Sequence, residues 1–190
     1  MDDAPFDRCV FVNCPLDEDY APILQAILFC IVYLGFHPRL ATERSDSGES
    51  RLAKIVELIE NSQYSIHDLS RLQATERGEF YRLNMPFELG IDYACRKYCG
   101  NGRQNKKFLV LGEKKYEYQA ALSDLAGRDI ETHAADFQVA VRKVRNWLGS
   151  EANAPRTGAR RILDAYADFQ EWYYERQLAA GFSDEDIQDY

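Results

Sequence analysis

Residues 9–41, CVFVNCPLDEDYAPILQAILFCIVYLGFHPRLA, carry the pattern that decides the fold. Cys9 to Asn13 is a short β-type run that stops at a polar residue. Residues 14–20 read as a loop, with Pro15 and three acids. Residues 21–34 are mostly apolar and of helical length. Pro22 falls in the first turn, where a missing N–H costs nothing. Gly35 then supplies a helix stop. Residues 36–41 read as a second strand. Its Pro38 cannot donate to a sheet ladder, so this strand belongs at an edge or a bulge. Strand, helix, strand in this order is the repeating unit of a parallel sheet.

The unit recurs downstream. Residues 42–50 form a polar loop. Residues 51–61 place Leu52, Ile55, Val56 and Ile59 at helical spacing. Residues 63–69 predict a third strand, and a second long polar loop follows over 70–84. Residues 85–98 predict a helix opened by Pro86, and 107–111 a fourth strand. Residues 116–126 predict a helix closed by Gly127, 129–133 a short fifth strand, and 137–148 a closing helix. The expected class is therefore α/β, with a parallel sheet of about five strands wrapped on both faces. Ligands of such sheets bind beyond the carboxyl ends of the strands, near the point where the strand order reverses. The loops after the first three strands are the long polar ones, so the site is expected there. The expected organisation is a domain over residues 1–148, a linker over 149–158 rich in Gly, Ser and Pro, and a helical extension over 159–190. That extension carries Ile162, Leu163, Tyr166, Phe169, Trp172 and Tyr173 on one stripe, and its acidic end is expected to fray.

The net charge of −8 argues against non-specific nucleic-acid binding, which needs basic surface. Arg96, Lys97, Arg103, Lys106 and Lys107 cluster around a glycine turn and are expected to form a solvated edge. Five cysteines, an odd number scattered through apolar segments, do not form a disulfide framework. They are expected to be buried and reduced, Cys95 and Cys99 included, which points to the cytoplasm. Acids within the first seven residues stand where a signal peptide would be basic. The apolar stretch 21–36 is too short to span a bilayer, so no membrane partner is expected. No dinucleotide-fold, P-loop, hydrolase-elbow or zincin motif occurs, and no metal or resident cofactor is expected.

Four places could carry chemistry. The first is Asn84-Met-Pro-Phe-Glu-Leu-Gly90. With Pro86 in the first turn, Glu88 would lie there too, near the positive end of the helix dipole, which favours its charged form. Such a carboxylate is either a nucleophile or cation stabiliser, or simply a favourable first-turn acid. The second is Ile66-His-Asp-Leu-Ser70. Asp68 and Ser70 leave the third strand at the same sheet edge, either as a second carboxylate with a hydroxyl or as turn caps. His67 points to the opposite face and reads as a satisfied core or surface residue. The third is the loop after the first strand, where Asn13, Asp17 and Tyr20 would contact a base or ribose, or serve the turn. The fourth is the loop at 43–48, with Arg44 as a phosphate clamp beside Asp46, or both as solvated loop residues.

Phe11-Val-Asn-Cys-Pro15, Tyr64-Ser-Ile-His-Asp-Leu-Ser70 and the Asn84–Gly90 segment together resemble the nucleoside 2-deoxyribosyltransferase-like and TIR-like group over roughly residues 8 to 148. The resemblance implies a flavodoxin-like three-layer sandwich, with the C-terminal helix as an addition and residues 71–83 as an elaboration. It implies cleavage of an N-glycosidic bond in a nucleoside or nucleotide, with NAD as a possible substrate. Glu88 matches the catalytic glutamate of the group, and Asp68 a position near base and sugar. Asn13, Pro15, Asp17, Tyr20, Arg44, Asp46, Ser70, Asn84, Pro86 and Phe87 are then expected around the substrate. The alternative is a non-catalytic nucleotide sensor or a TIR-like assembly module in bacterial defence or signalling. Homo-oligomers are expected on either reading.

Overall fold

The computed structural model describes residues 4–44, 46, 48–70, 83–116, 122–125 and 129–188. All but Leu83 of the predicted elaboration at 71–83, and much of the predicted helix at 116–126, lie outside the described residues. Within the latter, Ser123–Leu125 is a single 3-10 turn.

Five strands form one parallel sheet: β1 (Cys9–Asn13), β2 (His37–Arg39), β3 (Tyr64–Asp68), β4 (Lys107–Gly112) and β5 (Glu131–Thr132). The strand order is β2-β1-β3-β4-β5, the flavodoxin-like order. The chain starts in the middle, runs to one edge and then returns across the sheet. The order therefore reverses beside β1. The proline-bearing β2 is an edge strand, as its sequence requires. The β1–β3 register pairs Asn13 with His67, which sets the last residue of β1 directly beside that histidine.

Helices cover both faces. Helix α1 (Ala21–Tyr33) buries Ile23, Ala26, Ile27, Cys30 and Ile31. It packs beside helix α4 (Phe137–Glu151), which buries Ala140, Val141, Val144 and Leu148. Gly35 at φ +83° reverses the chain after α1, a backbone state without steric cost only for glycine. On the other face lie α2 (Arg51–Glu60) and α3 (Asn84–Tyr98). Phe11 of β1 is buried there with Ile55, Leu58 and Ile59 of α2 and Cys95 of α3. Ser50 caps α2 by accepting from the Ala53 N–H. Four cysteines are buried, but Cys99, expected inside, is exposed past the end of α3.

The chain divides into units at 1–155 and 156–190. The expected linker at 149–158 is thus too long. Gly149 and Ser150 remain helical because Leu148 anchors that turn in the core. The stop comes at Asn153, which takes the left-handed state (φ 52°), while the N–H groups of Ala152 and Ala154 close on the Leu148 carbonyl. The second unit consists of helix α5 (Ala159–Ala179) and a short α6 (Asp184–Gln188). The N-terminus of α6 is capped within the acidic segment. Ser183 N donates to Asp186 Oδ2 (2.8 Å), and Asp186 N donates back to Ser183 Oγ (3.2 Å). Among the described residues no helix is long and apolar enough to cross a membrane.

Candidate functional site

A cavity of about 370 Å³ opens at the carboxyl end of β1. Its floor is Phe11, Val12 and Asn13. Cys14, Pro15 and Leu16 form one wall, Leu40 and Ala41 after β2 another. Arg51 from the start of α2 and Leu83, Asn84, Met85 and Glu88 from the start of α3 complete it. This is the edge at which the strand order reverses, and the size falls in the range of roughly 300–1,000 Å³ usual for ligand sites.

Glu88 reaches this cavity because of its place on α3. Met85, Glu88, Leu89, Asp92 and Cys95 follow helical spacing and form the buried side of the helix. Glu88 is only 7% exposed. Among the described residues its carboxylate has no hydrogen bond or ion pair. The helix begins at Asn84, so Pro86 sits in the first turn but Glu88 opens the second. The expectation that the dipole would hold it charged is therefore corrected. The dipole effect fades within the first turn, and burial dominates instead. Burial pushes the Glu88 pKa from 4.5 up to about 7, against a downward pull from Arg51.

The sign of that shift sets how stability depends on pH. The folded-state pKa lies above the unfolded one. Protonated Glu88 thus favours the fold, fully below about pH 4.5, and the contribution is lost as the pH rises through about 7. Glu88→Gln mimics the neutral acid at every pH. In urea unfolding it should match the wild type near about pH 5 and exceed it by about 1–2 kcal/mol near about pH 8, a figure discounted for screening through the open cavity. Equal stabilities at the higher pH would contradict the burial argument.

Asp68 takes a different role from the one expected. It is fully buried at the end of β3 and does not line the Glu88 cavity. Tyr20 Oη donates to its Oδ2 at 2.6 Å, and His133 Nε2 lies 3.0 Å from the same oxygen. The Ser70 N–H donates to Oδ1 at 2.9 Å, joined by the Ser70 hydroxyl. His133 Nδ1 accepts from the Ala135 N–H (3.1 Å), so the ring proton sits on Nε2 and is directed at Asp68. Burial opposes the charge of Asp68, but the bonds from His133, Ser70 and Tyr20 outweigh it and hold its pKa below the ordinary 3.8. Burial and Asp68 in turn push the Tyr20 phenol well above 10. The cluster clasps the loop after β1, the end of β3 and the segment after β5. Its carboxylate is saturated, whereas that of Glu88 is not.

Of the expected site residues, the structure brings Asn13, Pro15, Asn84 and Glu88 together. It places Asp68, Ser70 and Tyr20 in the buried clasp. Asp17 Oδ1 accepts from the Tyr20 N–H (3.0 Å) and so serves its turn. Arg44 is committed to Glu57 (2.8 Å) and Glu49 (3.3 Å) rather than to a phosphate, and it borders a separate cleft. Asp46 closes its own loop by accepting from the Gly48 N–H (2.8 Å). Pro86 and Phe87 turn away from the cavity, Phe87 being 57% exposed.

Two features escaped the sequence. Arg51 stands on the cavity wall and forms no ion pair among the described residues. Beneath the floor lies a buried polar chain. His67 Nε2 is 3.0 Å from Asp92 Oδ2, and Lys106 Nζ is 3.1 Å from Asp92 Oδ1. Lys106 also donates to the carbonyls of Ile59 (2.7 Å) and Ser62. All three side chains are fully buried, so Lys106 is removed from the expected solvated edge. Burial disfavours the Asp92 charge, but His67 and Lys106 prevail and hold its pKa below the ordinary 3.8.

No model of a known protein family matches the chain, and a search of curated proteins finds no match either.

Proposed function

We propose that the cavity binds a nucleotide or nucleoside and that Glu88 cleaves its N-glycosidic bond. The observation carrying this reading is an acid more than nine-tenths buried, without a partner among the described residues, facing a ligand-sized cavity at the sheet's reversal point. When the bond between C1′ and the base breaks, its electron pair leaves with the base: the cationic ring of NAD departs as neutral nicotinamide without a proton, whereas the base of an ordinary nucleoside takes a proton from water. Positive charge builds on the sugar. A fixed carboxylate stabilises that charge or bonds to C1′ directly. Water or a second acceptor then completes the reaction. Leu16, Leu40 and Met85 offer apolar contact to a base, and Arg51 offers positive charge to a phosphate. The resemblance to the nucleoside 2-deoxyribosyltransferase-like and TIR-like group agrees with this chemistry and makes NAD the first substrate to try.

The test is incubation of the full chain with NAD and a panel of nucleosides and nucleotides, followed by chromatography for free base. Enzyme-dependent release supports the reading. One observation favours the alternative of a sensor. With Asp68 withdrawn into its clasp, Glu88 is the single acid on the cavity wall among the described residues. Binding without base release from any compound would select the sensor. On either reading, exposed Phe169, Trp172 and Tyr174 of α5 supply an aromatic surface for self-association.

A further inference from the structure

Asn13 ends β1 at the floor of the cavity, and its side-chain amide cannot turn freely. Its Nδ2 donates to His67 Nδ1 (3.0 Å) and to the Met85 carbonyl (2.9 Å). Both amide hydrogens are thereby used. His67 Nδ1 is an acceptor because the ring proton lies on Nε2, directed at Asp92 Oδ2. Asp92 is balanced by Lys106, so the chain runs from an amide donor through the imidazole to a paired carboxylate. Reversing the Asn13 amide would set Oδ1 against a ring lone pair and a carbonyl oxygen, two repulsive contacts. The orientation is therefore dictated by the buried chain. The polar atom of Asn13 left for the cavity is Oδ1, which can only accept.

We propose that Asn13 Oδ1 reads a hydroxyl of the ligand's sugar, and that His67 is the positioning residue that keeps this acceptor facing the ligand. This rests on the nucleotide reading for the class of ligand. Asn13 and Glu88 line one cavity. With Glu88 directed at the anomeric carbon, the neighbouring groups on the substrate are hydroxyls, and hydroxyls donate. An acceptor that is nearly buried and unfilled penalises a sugar without a donor there. The site should therefore prefer ribose over a sugar stripped of its hydroxyls, whatever the base.

The experiment is calorimetric binding to the full chain carrying Glu88→Gln, which removes turnover. The probes are NAD and the four common ribonucleoside 5′-monophosphates, each nucleotide paired with its 2′,3′-dideoxy counterpart. A preference for the ribose form of about tenfold is expected. Added Asn13→Ala should reduce it to near parity, and added His67→Phe should weaken it by leaving the Met85 carbonyl as the amide's one remaining anchor. Added His67→Gln offers an acceptor to Asn13 and a donor to Asp92, and should restore it. A merely structural role for His67 would affect both members of each probe pair alike. The inference is overturned if no probe binds, if ribose and dideoxy forms bind equally, if Asn13→Ala keeps the preference, or if the glutamine and phenylalanine variants behave alike. Ribose preference without base release by the wild type would keep this inference and remove the glycosidase reading. Base release without ribose preference would do the opposite.

Discussion

Asp92→Asn should lower the free energy of unfolding by about 3–5 kcal/mol, measured by urea unfolding at neutral pH. The reason is Lys106. Its ammonium is fully buried, and Asp92 Oδ1 at 3.1 Å is the negative charge that balances it. The carbonyls of Ile59 and Ser62 can accept its hydrogens but cannot neutralise it. Removing one member of a buried pair leaves the other desolvated and uncompensated, which costs far more than the intact pair contributes. Replacing both, as in Asp92→Leu with Lys106→Met, should therefore be milder than Asp92→Asn alone. Acid adds an independent check. The Asp92 pKa is held below 3.8, so its contribution is present above that pH and is lost as the pH falls through the folded-state value. Asp92→Asn should flatten that acid limb. A loss under about 1 kcal/mol would mean that Lys106 finds water or sheds its proton, and would sink the argument.

The buried chain also marks where sequence reading stops. The strand–helix alternation was legible because each element carries its own signal: β-type runs, helical spacing, Gly35 after α1 and Pro38 on an edge. The parallel sheet and the edge at which the cavity opens followed from those signals and from general rules of parallel sheets, whereas the flavodoxin-like arrangement came only from the family resemblance. Asn13 and Glu88 were legible as cavity residues because one ends a strand and the other lies near the start of a helix at that same edge. His67, Asp92 and Lys106 lie on separate elements, and only the register pairing Asn13 with His67 brings them into line. A local clue did exist. Asp92 interrupts the apolar side of α3 between Leu89 and Cys95, and an acid in such a place needs a buried cation. Lys106 was hidden by its basic neighbours, which made a solvated edge the simpler reading. Asp68 misled for the opposite reason. Its position at the strand end was right, but Tyr20, Ser70 and His133 saturate it through contacts that span the chain. The exact stop of α4 was missed because Gly149 looks like a break, while Leu148 holds the helix in the core beyond it.

Glu88→Gln should reduce base release by on the order of 10²–10⁴-fold, with little change in ligand affinity. Glutamine preserves the size and neutral polarity of the protonated acid but can neither carry negative charge nor bond to C1′. The loss should therefore appear in kcat rather than KM, as expected for an interaction made in the transition state. The wild-type pH profile supplies the sign. Burial sets the Glu88 pKa at about 7 in the free protein. If the carboxylate is the working form, kcat/KM rises with pH and levels off above about 7, and the variant's residual rate lacks that step. A rate that falls across the same range would reassign Glu88 as the proton donor to the leaving base. Base release unchanged in Glu88→Gln would remove it from the chemistry altogether. Unfolding cannot imitate the expected result, because the same substitution should make the protein more stable above neutral pH. A variant that gains stability while losing turnover is what the proposed role of a buried, unpaired carboxylate requires: a group suited to a developing cation is one the folded protein holds at a cost.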